Sequence, residues 1–228
     1  MYYQGRFAVQ SINRRSSGFY FPVRGFSNVL SCLTSQLLFL VIVIISTVII
    51  ASAGLSKLAS LDISLVMSGE VWRFFTGHLM HLTWRHYALN APVFFVAYLV
   101  YRRNTGGLSS IYLAIFSAII VSATVMFMGI HRLYGGLSGL SFAAISAILL
   151  KMIVDTPRRI LPYILIFAFS FYLLFLQGKA SGVNVAKEAH MAGAISGLTF
   201  EWGRRWLKHS NSNTHSDFQK FNKKHQSL

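Results

Sequence analysis

The chain has 228 residues, of which 54% are hydrophobic and only 12% charged, about half the charged share of a soluble domain. Its net charge of +15 comes from 21 basic and 6 acidic residues, most of the basic ones between or beyond the apolar runs, which favours lipid headgroups over nucleic acid as partners. A single cysteine, Cys32, excludes an internal disulfide.

Six apolar runs approach the length that an α-helix needs to cross a bilayer, roughly 20 residues. In chain order they cover about Leu37–Ala53, His86–Tyr101, Leu108–Met128, Leu137–Ile153, Ile160–Gln177 and Ala189–Leu207. The sequence therefore predicts an all-α membrane protein with six transmembrane helices, and a single membrane domain over residues 33–207.

Both ends of the chain are predicted to lie outside that domain. Residues 1–32 form a basic arm without any acid, and residues 208–228 form a tail, rich in Ser, Asn, Lys and His, that we expect to be disordered. With the N-terminus inside, 15 basic residues fall on the inner side, and the other six are Lys57, Arg73, Arg85, Arg132, Lys179 and Lys187. The positive-inside rule thus predicts that both termini are cytoplasmic. An Arg- and Ser-rich arm is also typical of a mitochondrial transit peptide, which stays open as an alternative.

The segment between the first two spans, about Gly54–Arg85, is too apolar for a solvated loop and too interrupted for a span. Its large apolar residues are Trp72, Phe74, Phe75, Leu79, Met80, Leu82 and Trp84. Tryptophan favours the headgroup level of a bilayer. We therefore expect an interfacial or partly embedded structure here.

Two polar residues open separate apolar runs. Ser138 lies in the GLSG motif of residues 136–139, and His190 begins the last predicted span. Polar groups at such depth are costly and are functional candidates by default. Because His190 shares a helix face with Gly193 and Gly197, that face can approach the glycine-bearing fourth helix closely. The two side chains could then act as a nucleophile and its base.

Further candidates surround this pair. Gly136 and Gly139 permit a sharp backbone and close helix approach. If a helix begins at Ser138, its backbone N–H belongs to the unpaired first turn and could donate to a developing oxyanion. His86 and Asn90, four residues apart on one helix face, could donate as well. The alternatives are a small-residue packing motif for GLSG and helix–helix hydrogen bonds for His86 and Asn90.

In this order, the motifs resemble the rhomboid family of intramembrane serine proteases. The similarity covers about Gly69–Arg205 and is carried by Trp72-Arg73-Phe74-Phe75-Thr76-Gly77-His78-Leu79-Met80-His81, His86-x-x-x-Asn90, Gly136-x-Ser138-Gly139 and Ala189-His190-x-x-Gly193-x-x-x-Gly197. It implies a six-helix bundle with a partly embedded first loop, a Ser138–His190 dyad, and an oxyanion hole of His86, Asn90 and the Ser138 N–H. It also implies a serine endopeptidase without metal or cofactor that cleaves other membrane proteins near the outer membrane surface.

Within the family, Thr76-Gly77-His78 and residues 189–194 are most similar to rhombosortases, bacterial rhomboids thought to process proteins with a glycine-rich C-terminal signal. The implied partners are the lipid bilayer and membrane-protein substrates with a transmembrane helix or a Gly-rich C-terminal anchor, in a bacterial inner membrane. Two departures stand out. Arg102-Arg103-Asn104 replaces the Glu-x-Arg pattern of many rhomboids, so the loop must be supported differently, and Ser141-Phe142 stand where rhombosortases often have a histidine.

Two other classes of function stay open. One is an inactive rhomboid relative that binds membrane helices, although such relatives typically lose the serine or the histidine and this chain has Ser138 and His190. The other is a metal or haem protein that uses His78, His81, His86 and His190, since histidines suit zinc and haem. The absence of an HExxH motif disfavours a membrane zinc protease.

Overall fold

The computed structural model describes residues 26–129, 133–155, 161, 164–165, 168 and 186–226. Its elements in chain order are α1 (Phe26–Ala51), α2 (Ala53–Ala59), β1 (Leu61–Asp62), α3 (Ile63–Met67), α4 (Arg73–Thr76), a 3-10 turn (Gly77–Leu79), α5 (Trp84–Thr105), α6 (Gly107–Met128), β2 (Leu133–Tyr134), α7 (Ser138–Asp155) and α8 (Lys187–Gln226). The protein is mostly helical, as predicted, with a small two-stranded sheet that the all-α expectation did not include.

Five of the six predicted spans correspond to the long helices α1, α5, α6, α7 and α8. The remaining span, Ile160–Gln177, lies outside the described residues except for Leu161, Ile164, Leu165 and Ala168, which are helical. Within the part of the chain that the structure describes, α6 and α7 are long and apolar enough to cross a membrane. The α1–α2 pair, bent by 119°, is a third candidate if it counts as one broken span.

Local signals fix where the central helices begin and end. The Thr83 hydroxyl accepts a hydrogen bond from the His86 N–H at 3.1 Å and so caps the start of α5. α6 ends at Gly129, whose φ of 60° lies in the left-handed region that glycine adopts without steric cost. The Thr83 cap thus places His86 in the first turn of α5.

The segment between α1 and α5, expected to be interfacial, folds into short helices and one strand of the sheet. β1 pairs antiparallel with β2, with Leu61 opposite Tyr134 and Asp62 opposite Leu133. Asp62 also caps α3, and its hydrogen bond from the Ser64 hydroxyl lowers the pKa of the carboxyl group. The sheet joins this segment to the chain that leads into α7.

Arg73 holds the same segment together from within. Its guanidinium is buried and forms an ion pair with Glu70 at 2.7 Å, and it donates to the backbone oxygens of Lys57 and Ser60 at 3.1 and 2.6 Å. Trp72, the preceding residue, is exposed. The segment therefore buries a hydrogen-bonded guanidinium beside apolar side chains such as Leu61 and Val66, and it exposes Trp72, as suits an element lying against lipid.

The C-terminal helix is longer than the sequence predicts. α8 continues to Gln226, whereas residues 208–228 were expected to be a disordered tail. Extending an existing helix avoids the cost of nucleation, and residues 208–226 contain neither glycine nor proline to end it. Of the predicted N-terminal arm, residues 1–25 lie outside the described part of the chain, and α1 begins at Phe26.

Candidate active site

Ser138 is the first residue of α7 and lies in a buried turn. Gly136, two residues earlier, has a φ of 137°, a conformation that side chains rarely adopt. The Leu137 carbonyl accepts the first bond of the helix from the Ser141 N–H at 2.9 Å. The Ser138 N–H therefore belongs to the first turn of α7, where N–H groups have no acceptor within the helix.

His190, in the first turn of α8, lies beside this serine. Its Nε2 atom is 2.8 Å from the Ser138 Oγ, a normal hydrogen-bond distance. When the serine hydroxyl donates to Nε2, the neutral ring carries its proton on Nδ1. The ring also packs on Phe142, one turn below Ser138, with centroids 4.7 Å apart and planes inclined by 32°. The two residues therefore have the geometry of a nucleophile and a base.

Small residues bring α7 and α8 into backbone contact just below this pair. A Cβ atom on Gly193 would overlap the Gly139 carbonyl, and one on Gly197 would overlap the Ala143 carbonyl. The Ser146 hydroxyl adds a hydrogen bond to the α8 backbone, at 2.9 Å. Gly139 and Gly193 thus have the packing role that the sequence indicated, which places His190 within reach of the serine.

His86 lies close to Ser138, whereas for Asn90 the structure shows burial rather than a contact with the serine. The Cε1 and Nε2 atoms of His86 lie 3.1 and 3.4 Å from the point where a Cβ on Gly136 would be, and the Ser138 Oγ lies 3.8 Å from the same point. His86 is thus brought to the site. The Asn90 side chain, one turn further along α5, is fully buried, and its amide has no hydrogen-bond partner among the described residues. The Asn90 side chain therefore has N–H donors that no described protein group uses.

His81 anchors the turn before Ser138. Its Nε2 accepts a hydrogen bond from the Leu137 N–H at 3.3 Å, so Nδ1 carries the proton and faces the Leu79 carbonyl and the Ser46 hydroxyl, each at 3.3 Å. The N–H of Gly136, the residue directly before Leu137, donates to the Gly77 carbonyl at 3.3 Å. The interfacial segment therefore holds the backbone that presents the serine.

His78 points away from this site, toward α6. The Ser122 hydroxyl donates to the Phe74 carbonyl at 2.8 Å, so His78 Nε2–H donates to the Ser122 oxygen and to the Ala118 carbonyl, both at 3.1 Å. The described residues contain no group of three or more His, Cys, Asp or Glu side chains placed to hold a metal ion.

Two residues were not among the site residues that the sequence predicted. Phe142 packs on the His190 ring, and its spacing of four residues from Ser138 was the available signal. Glu201 is fully buried in α8, and an acid inside a predicted span should have singled it out.

Comparison with known proteins agrees with the geometry. Residues 68–206, more than half of the chain, match the Rhomboid domain family. The match includes every residue named at this site except Ser46. Comparison with curated proteins finds no match.

Proposed function

This chain belongs to the rhomboid family of intramembrane proteases, and we propose that it cleaves membrane-protein substrates with a Ser138–His190 dyad. The observation that carries the proposal is the 2.8 Å contact between the Ser138 Oγ and the His190 Nε2 at the start of two closely packed helices. A serine hydroxyl is a weak nucleophile while it keeps its proton, and an adjacent base activates it by accepting that proton.

The reaction is an acyl transfer in two steps. His190 takes the proton of Ser138 as Oγ attacks a substrate carbonyl carbon, and the resulting tetrahedral oxyanion collapses as His190 protonates the leaving amine. The C–N bond breaks, and an ester joins the substrate to Ser138. Water then attacks this ester with His190 as base, which releases the new carboxylate and restores the hydroxyl.

The oxyanion in this proposal is held by three donors. The Ser138 N–H is in the first turn of α7, the His86 ring lies beside Gly136, and the Asn90 amide is buried with no partner among the described residues. Donors that are aimed in advance stabilise developing charge without reorganisation, and one such donor contributes roughly 10²–10³ in rate in soluble enzymes.

We further propose the substrate class and the orientation. Both termini are cytoplasmic in this proposal, because that arrangement leaves only six basic residues on the outer side. The Ser138 end of the bundle then faces the outer surface of a bacterial inner membrane. The likeness of Thr76-Gly77-His78 to rhombosortases points to a Gly-rich C-terminal anchor as substrate, and small residues would help because a helix must unwind before its carbonyls can be attacked.

A fluorophosphonate probe tests the chemistry directly. We expect the full chain, purified into lipid vesicles, to be labelled once, at Ser138, and to lose activity in step. Ser138→Ala should abolish labelling, whereas Ser141→Ala should leave it unchanged, because the Ser141 hydroxyl already donates to the Leu137 carbonyl at 3.0 Å. Labelling that persists in Ser138→Ala would contradict the dyad.

The substrate class needs a test in cells. Surface proteins of cells that lack the enzyme should retain C-terminal anchors that wild-type cells remove. If the proteins that accumulate are instead cut on the cytoplasmic side, the proposed orientation is wrong.

A further inference from the structure

The end of the bundle opposite Ser138 contains an ionic cluster, with a buried centre and a partly exposed edge, that the chemistry above does not use. Its centre is Glu201, whose side chain is fully buried in α8. Tyr101 of α5 donates to Oε2 at 2.8 Å, Arg204 donates to Oε2 and Oε1 at 2.7 and 2.6 Å, and Arg205 donates to Oε1 at 3.0 Å. Each carboxylate oxygen therefore accepts two hydrogen bonds.

The cluster extends from Glu201 to α7. Arg205 also donates to Asp155 at 2.8 Å and to the Lys151 backbone oxygen at 3.3 Å, and Lys151 pairs with Asp155 at 2.6 Å. The loss of hydration that a buried charge suffers offsets much of its attraction to its partners, so burial of the Glu201 carboxylate is weak evidence for stability. The cluster joins α5, α7 and α8 at one level.

Glu201 shares a helix face with the base. His190, Gly193, Gly197 and Glu201 are spaced by three, four and four residues, so they lie along one side of α8 over about three turns, roughly 16 Å. At one end of the contact between the two helices Gly193 of α8 lies against Gly139 of α7, and at the other end Arg205 of α8 bonds Asp155 of α7. The two helices therefore run parallel. A shift of α8 along α7 would therefore move His190 by the same amount relative to Ser138.

The glycines permit that contact but do little to fix it. Gly193 and Gly197 have no side chains to interlock, so the surface they form resists approach more than sliding or rotation. Apart from the hydrogen bond between Ser138 and His190 themselves, the directional links between α7 and α8 among the described residues are the Ser146 bond and the ionic cluster. We infer that Glu201 is a positioning residue, which sets the register of α8 and thereby the distance between His190 and Ser138. This inference rests on the proposed dyad.

The test separates positioning from folding by labelling kinetics. Fluorophosphonate is applied to the full chain in vesicles, and both the rate constant and the final extent of Ser138 labelling are measured. Because a misplacement of about 1 Å can cost on the order of 10²-fold in rate, we expect Glu201→Gln to lower the rate constant and kcat by about 10- to 100-fold, with the final extent and KM unchanged. A residue that only aids folding would lower the extent and leave the rate constant unchanged.

Three variants sharpen this result. Tyr101→Phe removes one of the four hydrogen bonds to Glu201 and should lower the rate constant in the same direction by a smaller factor. Thr199→Val is the matched control on α8, because its exposed hydroxyl donates only within its own helix, to Ile195, and it should change neither quantity. Ser196→Ala breaks a bond from α8 to Ser117 of α6 and should lower the extent alone. Wild-type rate constants in both Glu201→Gln and Tyr101→Phe would overturn the inference.

A distance measurement decides the matter even if the proposed activity fails. Spin labels at Leu133→Cys and Met191→Cys, both exposed and near the Ser138 end, would be introduced after Cys32→Ser. We expect the distribution of label distances to shift or broaden in Glu201→Gln and not in Thr199→Val. A wild-type chain that fluorophosphonate does not label would refute the dyad, whereas an unchanged distance distribution would refute positioning by Glu201.

Discussion

Two helix contacts in this molecule are built in opposite ways. Where α7 meets α8, backbone lies against backbone, and Gly193 and Gly197 leave no room for a methyl group. Where α1 meets α5, three rings interlock, with centroids of 4.8 Å for Phe39–Tyr98, 4.7 Å for Phe94–Tyr98 and 6.0 Å for Phe39–Phe94. Adding atoms should damage the first contact, and removing atoms should damage the second.

The difference indicates which helix contacts of a membrane protein tolerate substitution. Lipid tails are as apolar as side chains, so helices associate through close packing and hydrogen bonds rather than by leaving water. The ring contact can lose a group and relax around the gap. The backbone contact has no side chains to move, so any change there displaces a whole helix, and both Ser138 and His190 stand at its edge.

The largest expected effect is at the edge of the α7–α8 contact. Ser138→Ala and His190→Ala should each abolish cleavage of a model transmembrane substrate while the protein stays folded. Because the two groups act as one unit, the double variant should be no worse than either single one. Cleavage rates in vesicles, beside melting curves of the same samples, measure this. Full activity in Ser138→Ala would refute the dyad.

The next effect tests the backbone contact itself. Gly193→Ala places a Cβ atom on the Gly139 carbonyl, so α8 must move away and carry His190 with it. We expect activity to fall by about 10²-fold or more. Gly203→Ala, on the same helix with no atom within 4 Å of the added Cβ, is the control and should keep full activity. Equal activity in the two variants would mean that close approach does not position the base.

Asn90→Ala should have a smaller effect on rate. Loss of one oxyanion donor costs roughly 10²–10³ in soluble enzymes, and a hole with several donors loses less. Turnover should fall by a larger factor than KM rises, in steady-state kinetics with one substrate. If the variant is fully active but melts at a lower temperature, Asn90 is a helix-packing residue and not an oxyanion donor.

Much of the site could be predicted from local patterns. The spacing of His190, Gly193 and Gly197 defines a helix face without knowledge of the fold, and the GLSG motif marks the start of a helix. The family match over residues 68–206 confirms the rhomboid resemblance that these motifs indicated. The rhombosortase likeness, the role of each site residue and the orientation in the membrane stay predictions.

Other features depend on contacts that local patterns do not encode. Tyr101 and Glu201 are a hundred residues apart, and nothing in either neighbourhood signals the other. The β1–β2 pair is two residues long, too short for the alternation that identifies a strand. The bond from the Leu137 N–H to His81 joins two loops whose approach is decided by the helices around them.

The smallest effect on activity is expected at the ring contact between α1 and α5. Phe39→Ala removes a buried ring that lies against Phe94 and Tyr98, on α1 and α5 rather than at the contact between α7 and α8. The loss of stability should stay below the ~3–5 kcal/mol typical of soluble cores, because lipid offers an apolar alternative to the lost contacts. Melting in vesicles should therefore occur at a lower temperature, and Phe39→Leu should lie between. The rate constant of Ser138 labelling should stay at the wild-type value in both variants. A lower rate constant would show that the ring contact between α1 and α5 also positions the site. The proposed difference between the two helix contacts would then be wrong.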